Sequence, residues 1–215
     1  MKIYLVSRTE EKLKAAAEEI AAKYKVETGY FVADLVAAGR DSAAAAWFGL
    51  AQNLAAMDVG VLVNNAGMSY DHPEFFDAVA AGTLDDIVAI NVTSLSKARR
   101  GWGCCVVVRA AVHKAESPRL LQMVHTVLPG MKQRRRGCIV NISSGVSSYL
   151  PACPLLAAYA ASKAFVDNLS MSLAAEYRGF GIDVQARALC CHLVPAPTCS
   201  ALSCVRAHAE VQRSI

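Results

Sequence analysis

Tyr159 and Lys163 stand four residues apart in Tyr159-Ala160-Ala161-Ser162-Lys163, inside an alanine-rich stretch with helical spacing. Four residues is about one helical turn, so the phenol and the ammonium share a face. A nearby ammonium favours the phenolate and draws the phenol's pKa down from its ordinary value near ~10, which suits the tyrosine to acid/base work near neutrality. The pair taken alone fits a solvated helix face equally well. Upstream, Asn141-Ile142-Ser143-Ser144-Gly145 closes an apolar run. A serine hydroxyl there could hydrogen-bond a substrate carbonyl while the tyrosine protonates it, although Ser-Ser is also ordinary loop chemistry. Asn64-Asn65-Ala66-Gly67 follows another apolar run. Small and amide-bearing residues at such a place can line a cofactor cleft, and the same four residues also suit a plain turn.

These residues need elements to hold them, and hydrophobic periodicity supplies the outline. Ile3-Tyr4-Leu5-Val6 reads as a strand, and residues 10–24 as a helix with Leu13, Ala16, Ala17 and Ile20 on one face. Residues 26–33 read as a second strand closing on Asp34-Leu35, and residues 41–57 as a second helix. Val59-Gly60-Val61-Leu62-Val63 is nearly continuous in apolar residues, the pattern of a strand buried on both faces of a parallel sheet. Residues 77–94 read as a helix, 121–131 as its continuation, 138–142 as a fourth strand, 159–177 as a long helix broken by Gly181, and 182–185 as a fifth strand. Strands alternating with helices of this length imply right-handed βαβ units, hence an α/β, doubly wound parallel sheet of the Rossmann type.

Composition narrows the class. With 215 residues, 54% of them hydrophobic, the chain is long enough for one α/β domain with a sizeable core. No apolar run approaches the ~20 residues of a membrane-spanning helix, and the start lacks the pattern of a signal peptide, so the sequence reads as soluble. The net charge of +4 is unevenly spread. Residues 96–120 hold Lys97, Arg99, Arg100, Arg109, Lys114 and Arg119 against Glu116, and residues 186–215 are also basic, which leaves the remainder net acidic. Charge confined to two segments does not indicate a nucleic-acid partner. Cysteine follows the same division: Cys104, Cys105, Cys190, Cys191, Cys199 and Cys204 lie in those segments, only Cys138 and Cys153 elsewhere, and none has zinc-ligand spacing. The expectation is reduced thiols and no metal. Cys191-His192 offers a nucleophile and a base, but adjacency in sequence supplies no triad geometry.

In combination and in order, strand, Asn-Asn-Ala-Gly, helix with Asn91, strand, Asn-Ile-Ser-Ser, Tyr-x-x-x-Lys, these motifs resemble the short-chain dehydrogenase/reductase family. The resemblance implies Tyr159 as catalytic acid/base and Lys163 as its partner that also holds the nicotinamide ribose. It implies Ser144 as the residue orienting the carbonyl and Asn91 as the one holding a proton-relay water. Asn64, Ala66 and Gly67 match the stretch beside the adenosine ribose, and Asp34 the acidic residue near the adenine. Gly67-Met68-Ser69-Tyr70-Asp71-His72-Pro73-Glu74-Phe75-Phe76, Leu128-Pro129-Gly130-Met131 and Pro154-Leu155-Leu156 are similar to the branch of very-long-chain 3-oxoacyl-CoA reductases and 17β-hydroxysteroid dehydrogenases. Arg8, in Ser7-Arg8-Thr9-Glu10-Glu11-Lys12-Leu13, would meet the 2′-phosphate of NADP(H). The resemblance therefore implies NADPH-dependent reduction of a 3-oxoacyl-CoA in fatty-acid elongation, or of a steroid ketone. It further implies the endoplasmic reticulum, an elongation complex as partner, and a homodimer. The absence of a membrane segment in the sequence favours the cytoplasm instead.

Three departures set further expectations. The family's first strand and its Thr-Gly-x-x-x-Gly-x-Gly turn are not in the chain, which predicts a sheet lacking the first βα unit and, with nothing matching the last strand, that strand too. Such a sheet leaves two strands without ladder partners, and a catalytically inactive fragment surviving as a binding remnant is the alternative function. Residues 96–120 interrupt what otherwise reads as one helix and are expected to be an added loop, such as a retained intron would encode. The reductase domain is accordingly placed at 1–185, with 186–215 as a divergent tail. Residues 146–149 lengthen the loop before Tyr159, which leaves Ser147 as an alternative to Ser144.

Overall fold

The computed structural model describes residues 2–33, 44–94, 105–109, 121–148 and 152–189. In chain order the elements are β1 (Lys2–Ser7), α1 (Glu10–Tyr24), β2 (Glu27–Val32), α2 (Ala44–Ala55), β3 (Val59–Asn64) and α3 (Ala81–Val88), the last continued by a π-helical turn, Ala89–Ser94. Then come β4 (Cys105–Arg109), α4 (Leu121–Arg134), β5 (Gly137–Ser144), α5 (Gly145–Ser148), α6 (Ala157–Tyr177), a short 3₁₀ turn at Arg178–Phe180, and β6 (Ile182–Leu189).

The strands form one sheet in the order β2-β1-β4-β3-β5-β6. β1 runs parallel to β2, and β3, β5 and β6 run parallel to one another. Adjacent residues on a strand face opposite sides, and β1 shows what each side packs against. Leu5 is buried with Leu13 and Ala17 of α1, while Val6 joins Leu50 and Leu54 of α2 and Met123, Val124 and Val127 of α4. Helices on both faces explain why Val59-Gly60-Val61-Leu62-Val63 is apolar throughout. The doubly wound α/β architecture is therefore present.

β4 departs from the expectation. It lies within residues 96–120, expected to be an added loop, and fills the place between β1 and β3. It runs antiparallel to both: Ile3, Tyr4, Leu5 and Val6 pair with Val108, Val107, Val106 and Cys105, while Val61, Leu62 and Val63 pair with Val108, Val107 and Val106. The two strands expected to lack partners are each laddered to it, which answers the requirement that buried backbone N–H and C=O groups be paired. Three consecutive β-branched valines, Val106-Val107-Val108, suit that position.

Two boundaries also differ. β6 extends four residues past the expected limit at 185, pairing Ala186, Arg187, Ala188 and Leu189 with Asn141, Ile142, Ser143 and Ser144. The helix expected over 77–94 starts at Ala81 and changes to a π turn at Ala89. At the far end of the sheet, Asp58 is buried between Arg134 (2.7 Å) and Arg136 (3.3 Å), fastening the end of α4 to the start of β3. Gly181 admits the turn into β6: its φ is +70°, and a Cβ there would lie 2.4 Å from the Arg135 carbonyl oxygen.

Candidate active site

β3 and β5 end side by side, Asn64 opposite Asn141, at the edge where doubly wound sheets bind ligands. This pair is fixed by buried polar contacts. The Asn64 amide donates to Asn141 Oδ1 (2.7 Å), Asn141 donates to Ser170 Oγ (2.9 Å), and Ser170 returns its proton to the Val166 carbonyl within α6 (2.7 Å). Asn64 Oδ1 is left buried without a hydrogen-bond partner among the described residues. In a site of low dielectric such a chain specifies one packing of β3, β5 and α6.

Asn91 sits in the π turn, fully buried. π turns inside α-helices frequently mark functional sites. Both of its amide hydrogens are committed, to the Met68 carbonyl and to Ser162 Oγ (2.8 Å each), and its oxygen accepts from the Met68 N–H (2.9 Å). Its side chain thus holds the segment after Gly67 against α6. Ser162 donates onward to the Tyr159 carbonyl (2.6 Å).

The face shared by Tyr159 and Lys163 is the inner one, not a solvated one. Tyr159 is half-buried, and Lys163 is 3% exposed with Nζ donating to the Ile142 carbonyl at 2.9 Å. Gly67 makes room for that ammonium: a Cβ at position 67 would lie 2.9 Å from Lys163 Nζ and 3.2 Å from Asn91 Oδ1. Gly67→Ala is expected to displace the ammonium from Ile142 and to move the Lys163 titration midpoint up toward the ordinary lysine value as the group gains solvent. Carbon NMR at the lysine Cε, with Gly67→Ser as a second case, checks this; an unmoved midpoint in both would show that Lys163 does not depend on the gap.

Burial pushes the Lys163 pKa from 10.5 down to about 8, the Asp167 charge acting in the opposite direction. Below pH 8 the lysine is protonated in both folded and unfolded chains, and the fold bears the whole cost of a buried cation. Between about 8 and 10.5 the unfolded chain binds a proton that the folded chain does not, so this contribution to stability rises with pH. The span corresponds to up to about 3 kcal/mol. Lys163→Met should therefore be more stable than the parent at pH 7, and the advantage should fade by pH 10.5. Urea unfolding of both proteins at the two pH values measures it, and a difference independent of pH would contradict the assignment.

Ser144, the last residue of β5, is buried two residues past Ile142, and among the described residues its Oγ meets only the Val146 N–H, at a long 3.5 Å. Ser147 is engaged differently, its one hydroxyl proton lying within reach of two acceptors, the Ser144 carbonyl (2.8 Å) and Asp167 Oδ2 (2.9 Å). Of the two serines, Ser144 has the hydroxyl less committed within the fold. The start of α6 is held from the Gly67–Phe76 side: the Ala158 N–H donates to Tyr70 Oη (3.1 Å) and the Glu74 N–H to the Leu155 carbonyl (3.0 Å). Leu155 takes φ +64°, a left-handed conformation unusual for leucine, immediately before the helix that carries Tyr159.

Ala66 is buried beneath Gly67. Arg8 is exposed just past the carboxyl end of β1, on the same edge as Asn64 and Ser144. Asp34, Cys191 and His192 lie outside the described residues. The structure thus gathers Tyr159, Lys163, Asn91 and Gly67 around α6, with Ser144 and Asn64 on the adjoining strand ends. Tyr70 and Asp167 were not singled out from sequence; the only signal for Asp167 is its position one turn after Lys163. Among the described residues no three His, Cys, Asp or Glu side chains converge as a metal site, and no helix is long and apolar enough to cross a membrane.

Residues 1–101 and 119–198 match the family described as short chain dehydrogenase. Human inactive hydroxysteroid dehydrogenase-like protein 1 is 39% identical over 186 residues, covering 86% of this chain and 47% of that protein. Human very-long-chain 3-oxoacyl-CoA reductase is 38% identical over 188 residues, covering 86% and 50%. The chain spans about half the length of these curated relatives. Among solved structures, a short-chain dehydrogenase from Sphingobium yanoikuyae in complex with NADPH superposes with a TM-score of 0.64 at 27% identity, over 86% of this chain and 59% of that one. A metagenomic short-chain oxidoreductase in complex with NADP gives 0.58 at 26%, over 86% and 69%. By the strand order that carries Asn64 and Ser144 to one edge, by the Tyr159–Lys163 face that meets them there, and by these matches, the chain belongs to the short-chain dehydrogenase family.

Proposed function

We propose that the chain is an NADPH-dependent carbonyl reductase acting on the 3-keto group of long-chain 3-oxoacyl-CoA, as in fatty-acid elongation. The observation that carries this reading is the buried Lys163 ammonium, one turn from Tyr159 and bonded to the Ile142 carbonyl on the strand that ends at Ser144, beneath a glycine with no Cβ to fill the gap. A nicotinamide ribose fits there on chemical grounds. Lys163 Nζ spends one N–H on Ile142, and Gly67 leaves its approach open. Lys163 would hold the ribose hydroxyls, with Arg8 toward the 2′-phosphate. Bound there, the reduced nicotinamide supplies a hydride to the carbonyl carbon.

The chain's own residues do the rest. Ser144 Oγ donates a hydrogen bond to the carbonyl oxygen and fixes its direction. Tyr159 passes its hydroxyl proton to that oxygen as negative charge develops. The Lys163 ammonium, protonated below about pH 8, stabilises the phenolate left behind. Asn91 keeps the Gly67–Met68 backbone and α6 in register while this occurs.

The name of the 3-oxoacyl-CoA reductase relative favours the acyl thioester over a steroid ketone, and the branch resemblance adds the endoplasmic reticulum, an elongation complex and a homodimer to the proposal. Oxidation of NADPH on addition of a long-chain 3-oxoacyl-CoA tests the function, with a steroid ketone in parallel. Turnover of the steroid alone would reassign the substrate, and turnover of neither would overturn the reductase. A second reading, a non-catalytic protein that retains the fold, is favoured by the relative named as inactive and by the antiparallel course of β4, which begins at the cofactor edge where a parallel strand would end and turn into a pyrophosphate-seating helix. NADPH titration followed by nucleotide fluorescence separates the two: binding supports the reductase, and no binding supports the inactive form.

A further inference from the structure

Asp167 lies one turn beyond Lys163 on α6, and two hydroxyls from a different element converge on its Oδ2: Ser147 Oγ at 2.9 Å and Ser148 Oγ at 3.0 Å. Each hydroxyl has a single proton and a second acceptor nearby, the Ser144 carbonyl, at 2.8 and 3.3 Å respectively. Against a neutral carbonyl an ionised carboxylate is the stronger acceptor, so the protons turn to Asp167. Ser143 Oγ stands 3.2 Å from Ser147 Oγ and 3.3 Å from the Lys163 carbonyl. A directed chain therefore runs from the end of β5, through the α5 turn, to the carboxylate on α6. It brackets Ser144 on both sides in sequence and ends beside Lys163.

We propose that Asp167 is a positioning residue, which clamps the turn after Ser144 onto α6 and couples that turn to the Lys163 ammonium. The proposal rests on the reductase reading for its catalytic meaning, but its two physical consequences exist without substrate or cofactor. One is mechanical: α5 is a single turn of four residues, and both of its serine hydroxyls reach α6 through Asp167. The other is electrostatic: the Asp167 charge opposes the desolvation of Lys163 and so keeps the lysine protonated to higher pH than burial alone would allow. The groups around Lys163 are Tyr159 and Asp167 one turn away on its own helix, the Ile142 carbonyl on β5, and the neutral Asn91 from the π turn. Arg187 sits beside Ile142 in the β6 register. Asp167 is the one acidic side chain among them, so its removal has a defined sign.

The test uses the whole chain, free of ligand, labelled at lysine Cε for carbon NMR, with the Lys163 signal assigned by its loss in Lys163→Met. Asp167→Asn is expected to lower the Lys163 titration midpoint by about half a pH unit or more. The same variant should raise amide hydrogen exchange in residues 145–148 by about tenfold. Ser147→Ala/Ser148→Ala keeps the charge and removes the clamp. It should speed exchange equally and leave the midpoint in place, and it serves also if Asp167→Asn does not fold. Asp167→Glu should restore the midpoint. An Asp167→Asn protein with an unmoved midpoint, or either variant with unaltered α5 exchange, would overturn the proposal. Because neither readout requires turnover, an inactive parent would overturn the reductase reading and leave this one to be judged on its own result.

Discussion

Val107→Pro is expected to destabilise the fold by at least about 3 kcal/mol. Val107 is the middle residue of β4, opposite Tyr4 on one side and Leu62 on the other. A proline there removes a ladder N–H and fixes φ near −65°, and proline is tolerated only on edge strands or at bulges. Here both neighbours are core strands. The loss compares with a total stability of ~5–15 kcal/mol for a domain of this kind. Val107→Thr, which keeps a β-branched residue and the backbone N–H, is the control and should cost far less. Urea denaturation of the two variants against the parent measures the difference. Val107→Pro within about 1 kcal/mol of the parent would mean that β1 and β3 find their partners some other way. The result also decides the nature of residues 96–120: a dispensable insertion would tolerate the change.

Tyr159→Phe should lower kcat/KM for carbonyl reduction by about 10²–10⁴-fold, the range removed with a positioned general acid. The half-buried ring is retained and only the hydroxyl is lost, so folding and NADPH affinity should change little. An interaction confined to the transition state lowers kcat and leaves KM nearly as it was. Lys163→Met should differ in kind: it removes both the charge that stabilises the phenolate and the group proposed to hold the ribose, so nucleotide binding should weaken together with turnover. Steady-state rates and nucleotide fluorescence, measured on both variants, separate these patterns. Tyr159→Phe retaining more than about a tenth of parental turnover would remove the tyrosine from the proton-transfer role.

Much of the architecture was legible because it is written in local periodicity. The β-prone runs at Ile3 and Val59 and the alanine-spaced helix ending at Tyr24 form where they were expected, and so does the helix that places Tyr159 and Lys163 on one face. What local pattern could not supply was the environment of that face. A Tyr/Lys pair reads alike whether solvated or buried, and the difference comes from Gly67 and Ile142, far away in sequence. β4 was missed for a related reason. Val106-Val107-Val108 carries a strand signal, but its partners lie a hundred residues upstream at β1 and some forty upstream at β3, and the cysteines and arginines around it spoke for a loop. Asp167 gave only a weak hint, since a carboxylate one turn from a lysine is commonplace on helix surfaces. Its significance depends on Ser147 and Ser148, in the stretch that had seemed merely longer than usual.

The direction of β4 also bears on how the two halves of the molecule are joined. β1, α1 and β2 form one parallel unit close in sequence, while β3, β5 and β6 form another. Among the described residues the two units do not pair with each other in the sheet, and what joins them there is a five-residue strand synthesised after β3 and before β5. Neither unit can complete its hydrogen bonding until that strand threads between them, so closure of the sheet is a long-range event that pays its loop entropy late. This central slot holds an antiparallel strand whose backbone is laddered to both rims. For a fold family usually recognised by its parallel order, the middle of this sheet is closed by a strand of reversed direction that still meets the hydrogen-bonding demand of both rims.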